Sequence, residues 1–217
     1  MKTKYGLIGI GIAIGLFFVL AAWIMAERNY QYQGALIEPP VPAADFTLAD
    51  QNGESFQLSS QAKNIVLIFF GYTHCPDVCP VTLSEFRQIK EQLGSQAENV
   101  KFVFVTVDPE RDTAEQIKTY LNNFIPEISG LSGSRSELEL VWRNFGVYQE
   151  KGAKDSQGDY LVDHTSRIYL VDQAGNWRLT YTFGTEASKI AADIRHLLRT
   201  MRQQSTLPGD GRRTMGD

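Results

Sequence analysis

Residues 65–80 read Ile65-Val66-Leu67-Ile68-Phe69-Phe70-Gly71-Tyr72-Thr73-His74-Cys75-Pro76-Asp77-Val78-Cys79-Pro80. The first six are apolar without a break, the pattern of a strand buried on both faces of a sheet. A polar turn follows, and Leu83, Phe86, Ile89 and Leu93 then recur at the spacing of one helix face. Phe102 to Val107 is a second strand-like run. Strand, helix and strand at this length predict a parallel, right-handed βαβ unit. The cysteines fall between a strand's carboxyl end and a helix start, where sites form in open α/β sheets.

Phe46 and Leu48 alternate with polar neighbours, as do Phe56 and Leu58, and Asn52-Gly53 between them predicts a hairpin. Downstream, Asp112 and Glu115 predict a capped helix over 113–124, with Ala114, Ile117, Leu121 and Phe124 buried. Ser134 and Glu137 repeat the pattern before a stripe of Leu138, Val141, Trp142 and Phe145, which Gly146 is placed to end. A polar loop at 151–159 is expected to be mobile. Ile168–Val171 reads as a strand, Asp172–Asn176 as a turn, and Trp177, Leu179, Tyr181 and Phe183 as the buried face of the next strand. The strongest helical pattern comes last, at Ala187, Ile190, Ala191, Ile194, Leu197, Leu198 and Met201. This order predicts an α/β, thioredoxin-like fold, a central mixed sheet flanked by helices, over residues 46–202.

The 217 residues suffice for one domain with a core plus extra segments, and 43% of them are apolar. A net charge of −4 argues against broad electrostatic binding to nucleic acid or anionic lipid. Tyr5 to Met25 contains no charged residue, enough for a helix of roughly 30 Å. Lys2 and Lys4 precede this run, so residues 1–26 are expected to be a transmembrane anchor with the rest of the chain outside the cytoplasm. A cleaved signal peptide is the alternative, but the run exceeds the apolar region of about 7–15 residues that such peptides carry. Residues 27–45, with Pro39, Pro40 and Pro42, read as an extended linker, and residues 203–217 as a disordered tail.

Both cysteines lie in one motif, where a disulfide would add only about 2 kcal/mol by loop entropy. Their chemistry is therefore the better reason for them. A helix N-terminus favours a thiolate. Pro76 and Pro80 disfavour helical dihedrals at the residues before them, which puts both cysteines on a stiff turn. Three intervening residues widen the ring beyond the usual redox pair and suit a soft metal between the sulfurs, with a disulfide still open.

The chain resembles the Sco/SenC family of copper proteins in four segments: the anchor, Gly71 to Pro80, Thr106-Val107-Asp108-Pro109-Glu110-Arg111-Asp112, and Asp163-His164-Thr165-Ser166. The resemblance implies a thioredoxin fold and copper, as Cu(I) and also Cu(II), held by Cys75, Cys79 and His164. It implies delivery to, or thiol maintenance of, the dinuclear copper site of cytochrome c oxidase subunit II. An upstream periplasmic copper donor or thiol reductant would be a second partner. The expected location is a bacterial inner membrane, with the domain on the periplasmic side and no Arg- and Ser-rich presequence before Tyr5.

His164 stands where thioredoxins place a cis-proline, and no proline occurs between Pro126 and Pro208. A lone histidine is more often structural, so its ligand role rests on the resemblance. His74 is expected to point away from the sulfurs, His196 to be exposed, and Tyr72 and Phe70 to be core or pocket wall. Asp108 and Asp112 are expected either as turn and cap residues or as partner contacts near the site. The reading that follows is a metallochaperone and not an enzyme. A thiol–disulfide oxidoreductase that forms a Cys75–Cys79 disulfide, and a thiol peroxidase, are the rivals.

Overall fold

A computed structural model of the protein describes Ile12, residues 14–19, 30–125 and 127–206, apart from the side chains of 202–206. The chain forms two units, Met1–Tyr32 and Gln33–Asp217. In the first, residues 14–19 are helical, with Leu16, Phe17 and Phe18 exposed. The rest of the expected anchor over 1–26 lies outside the described residues, and no described helix is long and apolar enough to cross a membrane.

The second unit is built on a sheet. Its strands are β1 (Ala35–Pro42), β2 (Thr47–Asp50), β3 (Ser55–Gln57), β4 (Ile65–Gly71), β5 (Val100–Thr106), β6 (Ser129–Ser132), β9 (Arg167–Val171) and β10 (Asn176–Thr182). A separate ribbon pairs β7 (Gln149–Lys151) with β8 (Val162–His164). The helices are α1 (Val78–Leu93), α2 (Ala114–Leu121), α3 (Arg135–Asn144) and α4 (Ala187–Thr206). The eight-stranded sheet runs β1-β10-β9-β4-β5-β6-β2-β3. β4 is parallel to β5 and antiparallel to β9, so the sheet is mixed, as expected.

Every residue of β4 is buried, because helices cover both of its faces. Successive side chains point to opposite faces. Phe69 meets Phe86 of α1 at a ring separation of 6.5 Å, while Phe70 meets Phe145, just beyond α3, at 5.7 Å. α1 packs against α4. α2 lies close on β6, where a β-carbon added at Gly130 would stand 2.3 Å from Ile117. The expected hairpin is β2–β3, turned through Gly53 at φ +82°. The Ser134–Glu137 capping box is formed, and Gly146 turns the chain out of α3 at φ +63°.

Several expectations are corrected. Ala114 and Phe183, expected on buried faces, are exposed, and Phe124, expected in the buried stripe of α2, is half-buried beyond the end of that helix. Residues 35–42, placed in the linker, form β1, an edge strand paired with β10. Proline keeps the backbone extended and is tolerated at an edge, so a linker and an edge strand look alike in sequence. At the other end, the helix continues through 203–206, inside the expected tail, and 207–217 lie outside the described residues. α2 is capped by Thr113, whose hydroxyl accepts from the Gln116 amide, and not by Asp112. His196 is buried, at 5% exposure. α4 is covered over a wider arc than its apolar stripe, since Asp193 beside it is fully buried as well.

Asp193 explains part of that arc. Its carboxylate accepts from the amides of Gln33 and Gly34 and from the Tyr181 hydroxyl, all at 3.0–3.1 Å, and so clasps the start of the unit to its last helix. Removing such an acceptor strands buried donors. Asp193→Ala is expected to lower stability by about 3 kcal/mol in urea unfolding. An unchanged midpoint would show that the clasp contributes nothing.

Candidate metal centre

The register explains why two distant segments meet. The carboxyl end of β4 pairs with the amino end of β9, Phe69 with Ile168, so the turn after β4 lies beside the residues that lead into β9. The first carries Cys75 and Cys79 and the second carries His164. Cys75 is half-buried in the turn, where its amide donates to the Tyr72 carbonyl at 3.3 Å. Cys79 is fully buried and lies in the first turn of α1. That corrects the expectation of both cysteines outside the helix: Pro80 sits early enough that its missing N–H costs no helical bond. Gly71 makes room for the buried sulfur, because a β-carbon there would lie 2.9 Å from Cys79 Sγ.

His164 Nε2 stands 3.8 Å from Cys79 Sγ. On the other side of the ring, Nδ1 lies 3.1 Å from the Thr165 carbonyl, which can only accept. The proton therefore sits on Nδ1, and the lone pair on Nε2 faces the sulfur, the tautomer a metal-binding imidazole needs. Phe69 and Tyr72 flank the ring edge-on at 6.3 and 5.8 Å.

The two thiols are unequal. The Cys75 acidity is strongly increased, first by the hydrogen bond from the Cys79 thiol and then, against the cost of burial, by the backbone amides of Cys79 and Asp77. Cys79 moves the opposite way, because it donates to Cys75, is buried, and faces the Cys75 charge. The pair thus holds one thiolate, on the more accessible sulfur, and one thiol. Both cysteines are free.

Among the described residues, no group of three or more His, Cys, Asp and Glu side chains is closed to metal-binding geometry. The donors converge nonetheless: His164 touches Cys79, and the Cys79 thiol donates to Cys75. Two soft sulfurs and one imidazole nitrogen fit a soft, thiophilic ion.

The two carboxylates are internal. Asp112, 1% exposed, accepts from the Thr73 hydroxyl at 2.7 Å, the Thr73 amide at 3.2 Å and the Thr106 hydroxyl at 2.6 Å. Asp108, also buried, accepts from Arg111 Nε at 2.6 Å and the Tyr160 hydroxyl at 2.7 Å. Neither side chain is exposed for the partner contact considered from sequence. His74 turns to Thr73 Oγ1 at 3.0 Å and borders a cleft of about 450 Å³ with Arg111, Tyr160 and Leu161. The expected mobile loop carries a turn closed by Asp155, which accepts from the amides of Gln157 and Asp159. Sequence reasoning missed Thr73, Thr106 and Tyr160. The threonines could have been suspected beside the acids they bond, but Tyr160 carries no such signal.

This is a thioredoxin-like domain with two thiols and an imidazole gathered at strand ends. The chain belongs to the SCO1/SenC family, whose model matches residues 36–199. It is 35% identical over 198 residues to Protein SCO2 homolog, mitochondrial, of Bos taurus, covering 90% of this chain and 74% of that protein. The structure of Bradyrhizobium japonicum ScoI with copper bound matches with a TM-score of 0.68 and 40% identity, over 73% of this chain and 100% of that one. Yeast Sco1 with copper bound gives 0.68 and 27%, over 78% and 96%.

The thiol asymmetry has a direct consequence. In the reduced protein, alkylation should occur at Cys75 before Cys79, at a thiolate-limited rate that is flat between about pH 5 and pH 8. Removing the donor in Cys79→Ala should raise the Cys75 pKa towards the ordinary thiol range, so that labelling falls as pH drops below neutrality. A sloping wild-type profile would refute the assignment.

Proposed function

We propose that this chain is a membrane-anchored copper metallochaperone that binds Cu(I) through Cys75, Cys79 and His164. The observation that carries the reading is the 3.8 Å approach of a bare His164 Nε2 to Cys79 Sγ, with Nδ1 tied back to Thr165. Thiol exchange does not need an imidazole lone pair aimed at the buried sulfur, whereas a three-coordinate soft ion does. The copper-bound relatives named above support copper as that ion.

The cargo would be bound by two sulfurs and one nitrogen, with a position left for a partner's ligand. Cys75 is the more accessible donor, so an incoming ligand would exchange there first, while Cys79 and His164 hold from inside. The receiving protein, by family, is the dinuclear copper site of cytochrome c oxidase subunit II, supplied through an upstream periplasmic copper donor. Residues 1–26 would fix the chain in a bacterial inner membrane with the domain on the periplasmic side. Cu(II) is a second state the same donors can hold.

A second reading is favoured by the activated Cys75. As a thiol–disulfide oxidoreductase, its thiolate would attack a partner disulfide. Cys79 would then displace the partner thiol, leaving a Cys75–Cys79 disulfide and a reduced partner. An upstream thiol reductant would restore the pair.

Titration of the full reduced chain in detergent with Cu(I), against a competing chelator and without oxygen, separates the two. One tightly held copper is expected. His164→Ala should weaken it by about 10–100-fold while leaving the disulfide able to form, and Cys75→Ser or Cys79→Ser should abolish tight binding. Wild-type affinity in His164→Ala would remove the three-donor model, and no competitive binding at all would leave the oxidoreductase.

A further inference from the structure

His164 ends β8, and β8 belongs to a two-stranded ribbon that is not part of the main sheet. A ribbon of two three-residue strands is not stable alone, so its fastenings decide where the imidazole stands. Gln149 pairs with His164 inside the ribbon, which ties the histidine to another three-residue strand. Lys151 of β7 reaches the body of the domain through Glu110 at 2.7 Å, and two further fastenings lie on the His164 side of the ribbon. The Val162 amide donates to the Tyr72 hydroxyl at 3.2 Å. The Tyr160 hydroxyl donates to Asp108 at 2.7 Å, and the Arg111 guanidinium lies 3.6 Å from the centre of the Tyr160 ring. Burial and the Asp108 carboxylate push the Tyr160 phenol up to about 12, which keeps it a donor.

These contacts end on the stretch that also holds the cysteine turn. The Asp108 amide donates to Thr106 Oγ1 at 2.9 Å, Thr106 Oγ1 donates to Asp112, and Asp112 holds the amide and hydroxyl of Thr73, two residues before Cys75. The sulfur side and the imidazole side thus share one buried support. We propose that Tyr160, held by Asp108 and Arg111, is a positioning residue that sets His164 against Cys79, an inference that rests on the copper reading above. Tyr160 touches neither sulfur nor cargo. It acts by fixing the ribbon strand four residues before the ligand.

The test is a double-mutant cycle of Tyr160→Phe and His164→Ala in the full reduced chain, read by Cu(I) affinity against a chelator. Phenylalanine keeps the ring over Arg111 and loses only the bond to Asp108. Tyr160→Phe is expected to weaken binding about tenfold, and that loss should vanish in the His164→Ala background. Amide exchange at Val162 in the metal-free protein should accelerate in Tyr160→Phe, since it reports the ribbon without copper. An equal loss in both backgrounds, or no loss with unchanged exchange, overturns the proposal. If His164→Ala binds copper like the wild type while Val162 exchange still accelerates, the copper reading fails and the ribbon support stands.

Discussion

The Asp112 carboxylate is almost fully removed from water, and it is tolerated there because Thr73 and Thr106 surround it with donors. Burying a carboxylate costs several kcal/mol before compensation. The compensation is incomplete, because burial outweighs the hydrogen bonds and leaves the Asp112 pKa raised. The folded state therefore keeps a proton on Asp112 at pH values where the unfolded chain has already lost it, just above 3.8. This group's contribution to stability is greatest in acid and falls as pH rises through its folded pKa. At neutral pH the group opposes folding, and what it provides in return is position: the turn before Cys75 and the end of β5 are tied to one atom group.

That tie matters because the sheet brings the segments near each other without fixing them. Parallel pairing of Gly71 with Thr106 puts the end of β4 beside the end of β5, and antiparallel pairing of β4 with β9 brings in the chain after His164. Backbone ladders end at those points. Beyond them, placement passes to side chains: Gly71 admits the Cys79 sulfur, Thr165 orients the His164 ring, and Asp112 holds Thr73. A site at strand ends has a rigid floor and needs polar contacts for its walls.

The division between what the sequence reveals and what it conceals follows the same line. β4, β5, α1 and α4 are legible because one apolar period dominates each of them, and the hairpin at Gly53 and the box at Ser134 are legible because their chemistry is local. β1 was concealed because Pro39, Pro40 and Pro42 fit a free linker as well as an edge strand. Asp112 read as a cap because its spacing to Glu115 is that of a capping box, but Thr113 is the residue that caps, leaving Asp112 to turn inward. Cys75, Cys79 and His164 were singled out through the family's motifs, and their convergence needed the register. Tyr160 meets Asp108 across 52 residues, a contact no periodicity encodes.

The inequality of the two sulfurs narrows how any chemistry at this site proceeds. Cys79 is fully buried and keeps its proton, whereas Cys75 is half-buried and loses it. A partner, whether it brings a metal ligand or a disulfide, reaches Cys75 first, so the outer sulfur alone does not discriminate between the proposed copper function and its redox rival. Discrimination falls to the inner donors. An attacking thiolate needs a neighbouring thiol, which Cys79 supplies by itself. A soft ion held between sulfurs also needs a third donor turned towards them, and the hydrogen bond from Nδ1 to Thr165 turns Nε2 of His164 to that side. The contact between His164 and the Thr165 carbonyl is therefore the feature on which the proposed copper function rests most heavily against its redox rival.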